Sequence, residues 1–321
     1  MFLSVLKSER GSFEITTAFV ETYKTNIYML AQQKEARLAS KCRQESQGSE
    51  QDFYERIGTV DAQKIVDRHG DTPQMNVPHS RRAVTLEDAE FADLIDKMDR
   101  VRLLINPDDA YVKAAVNALN RYKDDVFIGA ALGIARSGKK AEVQIPLPNE
   151  QKIGATDGTQ SSGLNVFTLT LVQEKFDAAD VDEDMRRYIA YSAKQKQNML
   201  NQEKVTSADY NTIRALVKGE INTFMGFEFV RSERLPVTLS AISTFNPATG
   251  EITGGGDTIA AGARRCIAWI EDGVVFATGQ DIVTRITERD DKRYSTQIYA
   301  SQSVGGTRLE EVKVIEVLCA E

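Results

Sequence analysis

With 321 residues, 41% hydrophobic and 27% charged, the chain can bury a sizeable core, and its length fits roughly two domains of about 150 residues. A net charge of −7 and a pI near 5.2 exclude a duplex-reading surface built on a broad basic face, because neutralising phosphates needs clustered Lys and Arg. They leave room for a protein that encloses nucleic acid without gripping it.

Cys42, Cys266 and Cys319 are spread along the chain without CxxC spacing, and read as reduced, partly buried thiols of a cytosolic protein. The opening MFLSVLKSERGSFE has too short an apolar run for a signal peptide. No segment approaches the ~20 apolar residues of a membrane span. A soluble protein made inside a cell is expected.

In chain order, residues 15–45 read as one long helix. Ile15, Phe19, Tyr23, Ile27, Leu30 and Leu38 form a narrow apolar stripe among charged and polar faces. Such a helix lies along a surface, its own or a neighbour's, and SQGSEQ (46–51) ends it. Next come two polar, extended arms. Ile57, Thr59 and the run 64–67 suggest the outgoing arm; Met75, Val77, Val84 and Leu86 suggest the return, with HGDTP as the turn. Two long polar strands without a core of their own are marginal alone; laid across another subunit they become stable.

Asn106 then reads as an N-cap, with Pro107 at the first helical position and Asp108–Asp109 in the positive first turn. The stripe Tyr111, Ala115, Ala118, Tyr122, Val126, Gly129, Gly133 predicts a helix of about eight turns ending at SGKK (137–140). Helices are expected over 166–179, 192–202 and from Ser207 to Val217. Strands are expected at 187–191, at 219–236 with a bend or bulge at Gly226, at 264–270, at 273–279 and around Gly305–Gly306. The Gly- and Thr-rich run 246–263 reads as a loop. The pattern is α+β, without an internal repeat.

The chemistry-bearing residues are few. GIARSGKK (133–140) fits GxxxxGK, yet Lys140 stands where Ser or Thr should hold magnesium. The segment also follows a helix instead of opening one; Gly133 falls inside the helical stripe, and Gly138 reads as a C-cap. GGGD (254–257) lacks the strand and helix of a dinucleotide fingerprint. No GxSxG, HExxH or Cys/His cluster exists, and any Ser–His or Cys–His pair would have to use His69 or His79, the chain's two histidines. ERDDKR (288–293) mixes signs and reads as a solvated or interfacial cluster. No catalytic residue, cofactor or metal ligand is assigned.

The second half carries a resemblance. SADYNTIRALVKGEINTFMGFEFVRSERLP, RRCIAWIEDGVVFATGQDIVTRITERDDKRYSTQIYAS and TRLEEVKVIEV resemble the major capsid proteins of tailed bacteriophages. FVETYKTNIYMLAQQKEARL and DRVRLLINPDDAYVKAAVNALNRYKDDVFIGAALGIA in the first half agree. The similarity is long and collinear, carried by no single signature, and weakest in 1–14, 139–165 and 237–262. It implies the capsid fold named for phage Hong Kong ninety-seven. On that basis 1–52 is the N-terminal arm, 53–98 the extended E-loop hairpin, and 99–160 a peripheral domain with the spine helix. An axial domain spans 161–293, and return strands of the peripheral domain span 294–321.

The implied function is that of a major capsid protein assembling into hexamers and pentamers of an icosahedral head shell around double-stranded DNA, which it encloses without specific binding. A tail or tubular virion protein, or a nucleotide-binding enzyme using 133–140, is the alternative. The implied partners are copies of itself, a separate scaffolding protein, a portal and a decoration protein, with no membrane. The chain is made in the host bacterial cytoplasm and ends in the virion. HGDTPQMNVPHSRR (69–82) becomes the distal part of a hairpin laid over a neighbour. Candidate inter-subunit contacts are His69, Asp71, His79, Arg81 and Arg82, then Arg231, Glu233 and Arg234, then Glu288, Arg289, Asp290, Asp291 and Lys292.

Overall fold

The computed structural model describes residues 30–62, 64, 75–96, 108–182, 184–200, 223–252 and 257–321. In chain order these hold β1 (Arg43–Ser46), β2 (Gln51–Ile57), β3 (His79–Thr85) and β4 (Glu87–Ile95). Helix α1 (Asp108–Leu132) is followed by β5 (Ala135–Ser137), β6 (Val143–Ile145) and β7 (Lys152–Gly154). Then come α2 (Val166–Ala178), β8 (Arg187–Tyr191), α3 (Ala193–Leu200), β9 (Thr223–Phe224) and β10 (Phe227–Arg231). The chain continues through β11 (Ile242–Phe245), β12 (Asp257–Ile259) and β13 (Arg264–Ile270) to β14 (Val274–Arg289), β15 (Ser295–Arg308) and β16 (Val314–Cys319).

A mixed six-stranded sheet in the order β7-β16-β13-β8-β10-β9 holds the main core. Its central strands RRCIAWI and VIEVLC are almost continuously apolar because both faces of the sheet are covered. Trp269 sits at its centre, 5.0 Å from the Phe127 ring and 5.5 Å from the Tyr188 ring, and its indole N–H donates to the Lys41 carbonyl at 2.9 Å. Cys42, Cys266 and Cys319 are buried free thiols. Helix α2 starts at Asn165, whose side chain accepts from the Thr168 amide, and closes at Asp180 in a left-handed conformation.

A second sheet, β1-β14-β15-β4, carries α1 on one face. Ala115, Leu119 and Ala300 pack there with Ala89, Phe91 and Ile282. The close approach uses Gly306, where an added Cβ would stand 3.0 Å from that of Ala130. A third sheet, β2-β3-β5-β6, adjoins it, and β11 and β12 form a small hairpin with its own cluster of Phe245, Ile252 and Ile259.

Several expectations are corrected. From Leu30 onward the expected 15–45 helix is absent: the chain runs as an irregular strap to a short 3-10 turn at Ala39–Lys41 and then into β1. Its stripe was read as periodic, but Leu38 and Ala39 are buried in the main core at a turn instead of along a helix face. Helix α1 stops at Leu132, and Gly133 follows it. The face it buries is Ala115, Leu119, Asp124, Phe127, Ile128 and Ala131, rotated from the expected stripe, whose Tyr122 and Gly129 line a groove. GIARSGKK becomes β5 and its turn into β6, with Gly138 at φ +95°, so it has no helix start to offer a phosphate. At Gly226, where a bend or bulge was expected, Met225 and Gly226, both at positive φ, turn the chain tightly from β9 into β10. Within the expected loop 246–263, β12 pairs with β11. After residue 294, β15 packs on α1 and β16 pairs with β7 in the six-stranded sheet, both within reach of the 99–160 segment they were expected to rejoin. Asn106, Pro107, the HGDTP turn and the expected 207–217 helix lie outside the described residues.

Candidate functional site

The two faces of the β2–β3 hairpin have different surroundings. Alternation puts Tyr54, Arg56 and Arg82 on one face, and Phe53, Glu55, Ile57, His79 and Arg81 on the other. The first face is tied down. Arg82 is buried; its Nε donates to the Leu309 carbonyl at 3.3 Å, and its Nη2 pairs with Glu311. Arg56 Nη1 donates to the same Leu309 carbonyl. Burial pulls the Arg82 guanidinium below its ordinary pKa, and the Glu311 carboxylate opposes that shift.

The second face turns outward. Arg81 pairs with Glu55 at 2.8 Å and lies 5.5 Å from the Phe53 ring. Past the Ile57–His79 pair, Gly58 N–H still bonds to the Pro78 carbonyl at 2.9 Å. Ile57 itself is 71% exposed, and Val60, Met75 and Val77 beyond the pair are exposed as well. Exposed apolar residues carried together on one hairpin mark a candidate contact surface.

The strap from Leu30 to Cys42 is held by one buried carboxylate. Asp124, fully buried on α1, accepts from the backbone amides of Arg37, Leu38 and Ala39 at 2.9–3.2 Å and from the Gln33 amide. Asn120 and Arg121, on the same helix, donate to Lys34, Gln33 and Gln32. Clear of the strap, Tyr122, Glu87, Asp125, Gly129, Ile134 and Arg136 line a groove of about 340 Å³. There the Tyr122 hydroxyl donates to Glu87 at 3.0 Å, and burial with that bond lifts the phenol to about 12.

The candidate contact residues fall on three separate sheets. His69 and Asp71 lie outside the described residues. His79 and Arg81 are on the hairpin's outward face, whereas Arg82 is corrected: its guanidinium is buried against Glu311 of its own chain instead of lying on that face. Arg231 at the end of β10 pairs with Glu233 at 3.4 Å, and Glu233 also accepts from the first amide of α3 at 2.8 Å. Arg234 forms a two-pronged pair with Asp125 of α1. Glu288, Arg289, Asp290, Asp291 and Lys292 are exposed at the β14–β15 turn, where Arg289 holds Asp291 through two bonds of 2.8 and 2.9 Å. Among the described residues, no group of three His, Cys, Asp or Glu side chains is placed to hold a metal ion. No helix is long and apolar enough to cross a membrane among those residues. Sequence reasoning missed Asp124, Arg56, Arg308 and Glu311, since nothing in their spacing signals that they meet.

The profile of the phage capsid protein family matches residues 15–321. Among solved structures, the chain is similar to the capsid of the cyanophage P-SCSP1u, with 16% identity and a TM-score of 0.70 over 97% of this chain and 96% of that one. It is similar to the capsid asymmetric unit of cyanophage Pam1 at 11% identity and a TM-score of 0.67, covering 96% and 98%. The capsid of Ralstonia phage GP4 gives 9% identity and a TM-score of 0.64, covering 100% and 99%. No curated protein sequence matches.

Proposed function

The chain belongs to the phage capsid protein family and has its fold, and from that premise we propose that it is the major subunit of an icosahedral head shell. Copies assemble into hexameric and pentameric capsomers through heterologous contacts that close. The observation that carries this reading is the β2–β3 hairpin, fixed at its base by Arg56 and Arg82 while Ile57, Val60, Met75 and Val77 are exposed. A rigid base aims the hairpin, and the apolar residues find cover on the next copy. Such crossings enlarge each contact beyond what compact faces give.

The shell encloses double-stranded DNA without specific binding, and the net charge of −7 suits walls that repel it weakly. A separate scaffolding protein aids assembly, a portal interrupts the shell, and a decoration protein is a further partner. Synthesis takes place in the host bacterial cytoplasm. His79, Arg81, Arg231, Glu233 and the 288–292 turn are proposed as polar inter-subunit contacts.

The test is the double variant Ile57→Asp, Val77→Asp, expressed with and without a scaffolding protein and viewed by negative-stain microscopy. The expected result is a folded subunit with unchanged circular dichroism that fails to close shells. Normal particles from this variant would overturn the hairpin's role, and rings or tubes from the parent chain would favour a tubular virion protein.

A further inference from the structure

Behind the base of the hairpin, three arginines from distant parts of the sequence converge on one carboxylate. Glu311 Oε1 pairs with Arg82 and lies 3.8 Å from Arg308 Nε, while its Oε2 lies 3.9 Å from Arg56 Nη1. Arg308 is fully buried and has other acceptors: Nη1 donates to the Ala131 and Gly133 carbonyls at 2.7 and 3.1 Å, and Nη2 to that of Ile145 at 3.1 Å. Its charge is thus largely answered by the negative end of α1. Arg56 and Arg82 are left to share Glu311, one positive charge in excess.

The donors tell the same story. Arg56 Nε, Arg82 Nη1 and Arg308 Nε are buried and have no hydrogen-bond partner among the described residues. Arginine carries five N–H donors and cannot shed its charge, so buried guanidinium donors left unanswered are costly. The charges also act on each other: after burial itself, Glu311 supports Arg82 while Arg56 opposes it. Arg56 and Glu311 are about one-fifth exposed, so the cluster meets solvent through them, whereas Arg82 and Arg308 are fully buried.

We infer that this cluster is an oxyanion site, taking a carboxylate or phosphate group against Arg56 and Arg82 beside Glu311. Planar guanidinium forks recognise both groups by paired N–H···O bonds. The group comes either from free anion or from an acidic side chain of a second copy. The second source rests on the shell reading; the site itself does not.

The experiment uses the full chain in two arms. In the first, thermal unfolding of the unassembled subunit is followed in sodium phosphate and in sodium chloride of equal ionic strength. Phosphate should raise the midpoint by about 2–4 °C beyond its effect on Arg56→Gln, which controls for general salting-out. Glu311→Gln, with one more unanswered charge, should respond more strongly than the parent chain. Arg56→Lys, which keeps the charge but lacks the fork, should lose the response while remaining folded. In the second arm, assembled shells are dissociated in urea. If a neighbour's carboxylate fills the site, Arg56→Gln and Arg56→Lys shells fall apart at lower urea than parent shells, and phosphate no longer helps the parent. If free anion fills it, phosphate protects shells and subunits alike. Equal responses of all four chains to phosphate, with shells of equal urea resistance, would overturn the site. Failure to form any closed particle would count against the shell reading instead, leaving the first arm decisive for the anion.

Discussion

The Leu38 amide donates to Asp124 Oδ1 at 2.9 Å across 86 residues of sequence, and the Arg37 and Ala39 amides meet the same carboxylate. One helical side chain thereby does for the strap what a strand partner would do, answering consecutive backbone donors that have no ladder of their own. Asp124→Ala should cost about 3 kcal/mol or more, because each buried donor left unanswered costs about 1–3 kcal/mol. Hydrogen exchange should speed up first in residues 33–41 and only later in the six-stranded sheet. Unchanged protection there would remove Asp124 as the strap's anchor.

Trp269, the one tryptophan in the chain, is fully buried between Phe127 and Tyr188 and donates to Lys41. Its emission should be blue-shifted in the native state and move to the red as a single transition with the core. Trp269→Phe should cost about 1–3 kcal/mol by orphaning the Lys41 carbonyl, and Trp269→Ala about 3–5 kcal/mol. Urea titration followed by circular dichroism would show both.

Two glycines should answer alanine with opposite signs. A Cβ on Gly305 would run into the Thr85 carbonyl, which is backbone and cannot swing away, so Gly305→Ala should destabilise by about 1–3 kcal/mol. Gly129 is an exposed residue of α1 with nothing within 4 Å of an added Cβ, so Gly129→Ala should stabilise by about 0.5–1 kcal/mol. Equal shifts in the thermal midpoint would contradict the packing of β15 against β3.

Lys123 Nζ bonds to Asp281 at 2.9 Å, and that bond, with the Ile282 amide, holds the Asp281 carboxyl below the ordinary value of 3.8. A carboxyl depressed by folding contributes stability that is complete above its unfolded pKa and lost as pH falls through the lower folded value. The Asp281 side chain is largely exposed, so the pair should be worth only about 0.2–1 kcal/mol and weaken in salt. Asp281→Asn should therefore melt slightly below the parent chain at pH 7 and together with it near pH 2. A difference that persists at pH 2 would assign the effect to packing.

What could be read from the chain follows from how local each signal is. The strands RRCIAWI and GVVFATG announce themselves by apolar density, and α2 by periodicity with Asn165 before it, because those forces act within a few residues. The hairpin's two arms were legible as polar extended runs, and β2 and β3 do pair. The strap was not. Leu30 and Leu38 fit a helical stripe, yet the competing partner for that backbone was Asp124, far along the chain and invisible to any window. Arg82 misled for the same reason: beside Arg81 on an arm it looks solvent-bound, but alternation sends the two to opposite faces, one toward Glu55 and one toward Glu311. The face of α1 was misjudged because Ala and Gly pack or line a groove equally well, whereas Phe127 and Ile128 had to be buried.

The long β14–β15 ribbon leaves the six-stranded sheet after Ile270 and returns to it at Val314, through two short 3-10 turns at Glu271–Gly273 and Glu311–Lys313 that lie side by side. The Leu309 amide bonds to the Gly273 carbonyl at 2.9 Å, and a Cβ on Gly273 would stand 2.8 Å from that of Lys313. The two layers of the molecule are therefore joined here by a double seam whose threads are fastened to each other. Away from the seam, Phe127, Ile128 and Val304 share one core with Trp269 and Val317, so the two sheets are bound to each other through their packing as well. Glu311 belongs to one of those threads, so the arginines that hold the hairpin are anchored where the chain passes from one sheet to the other.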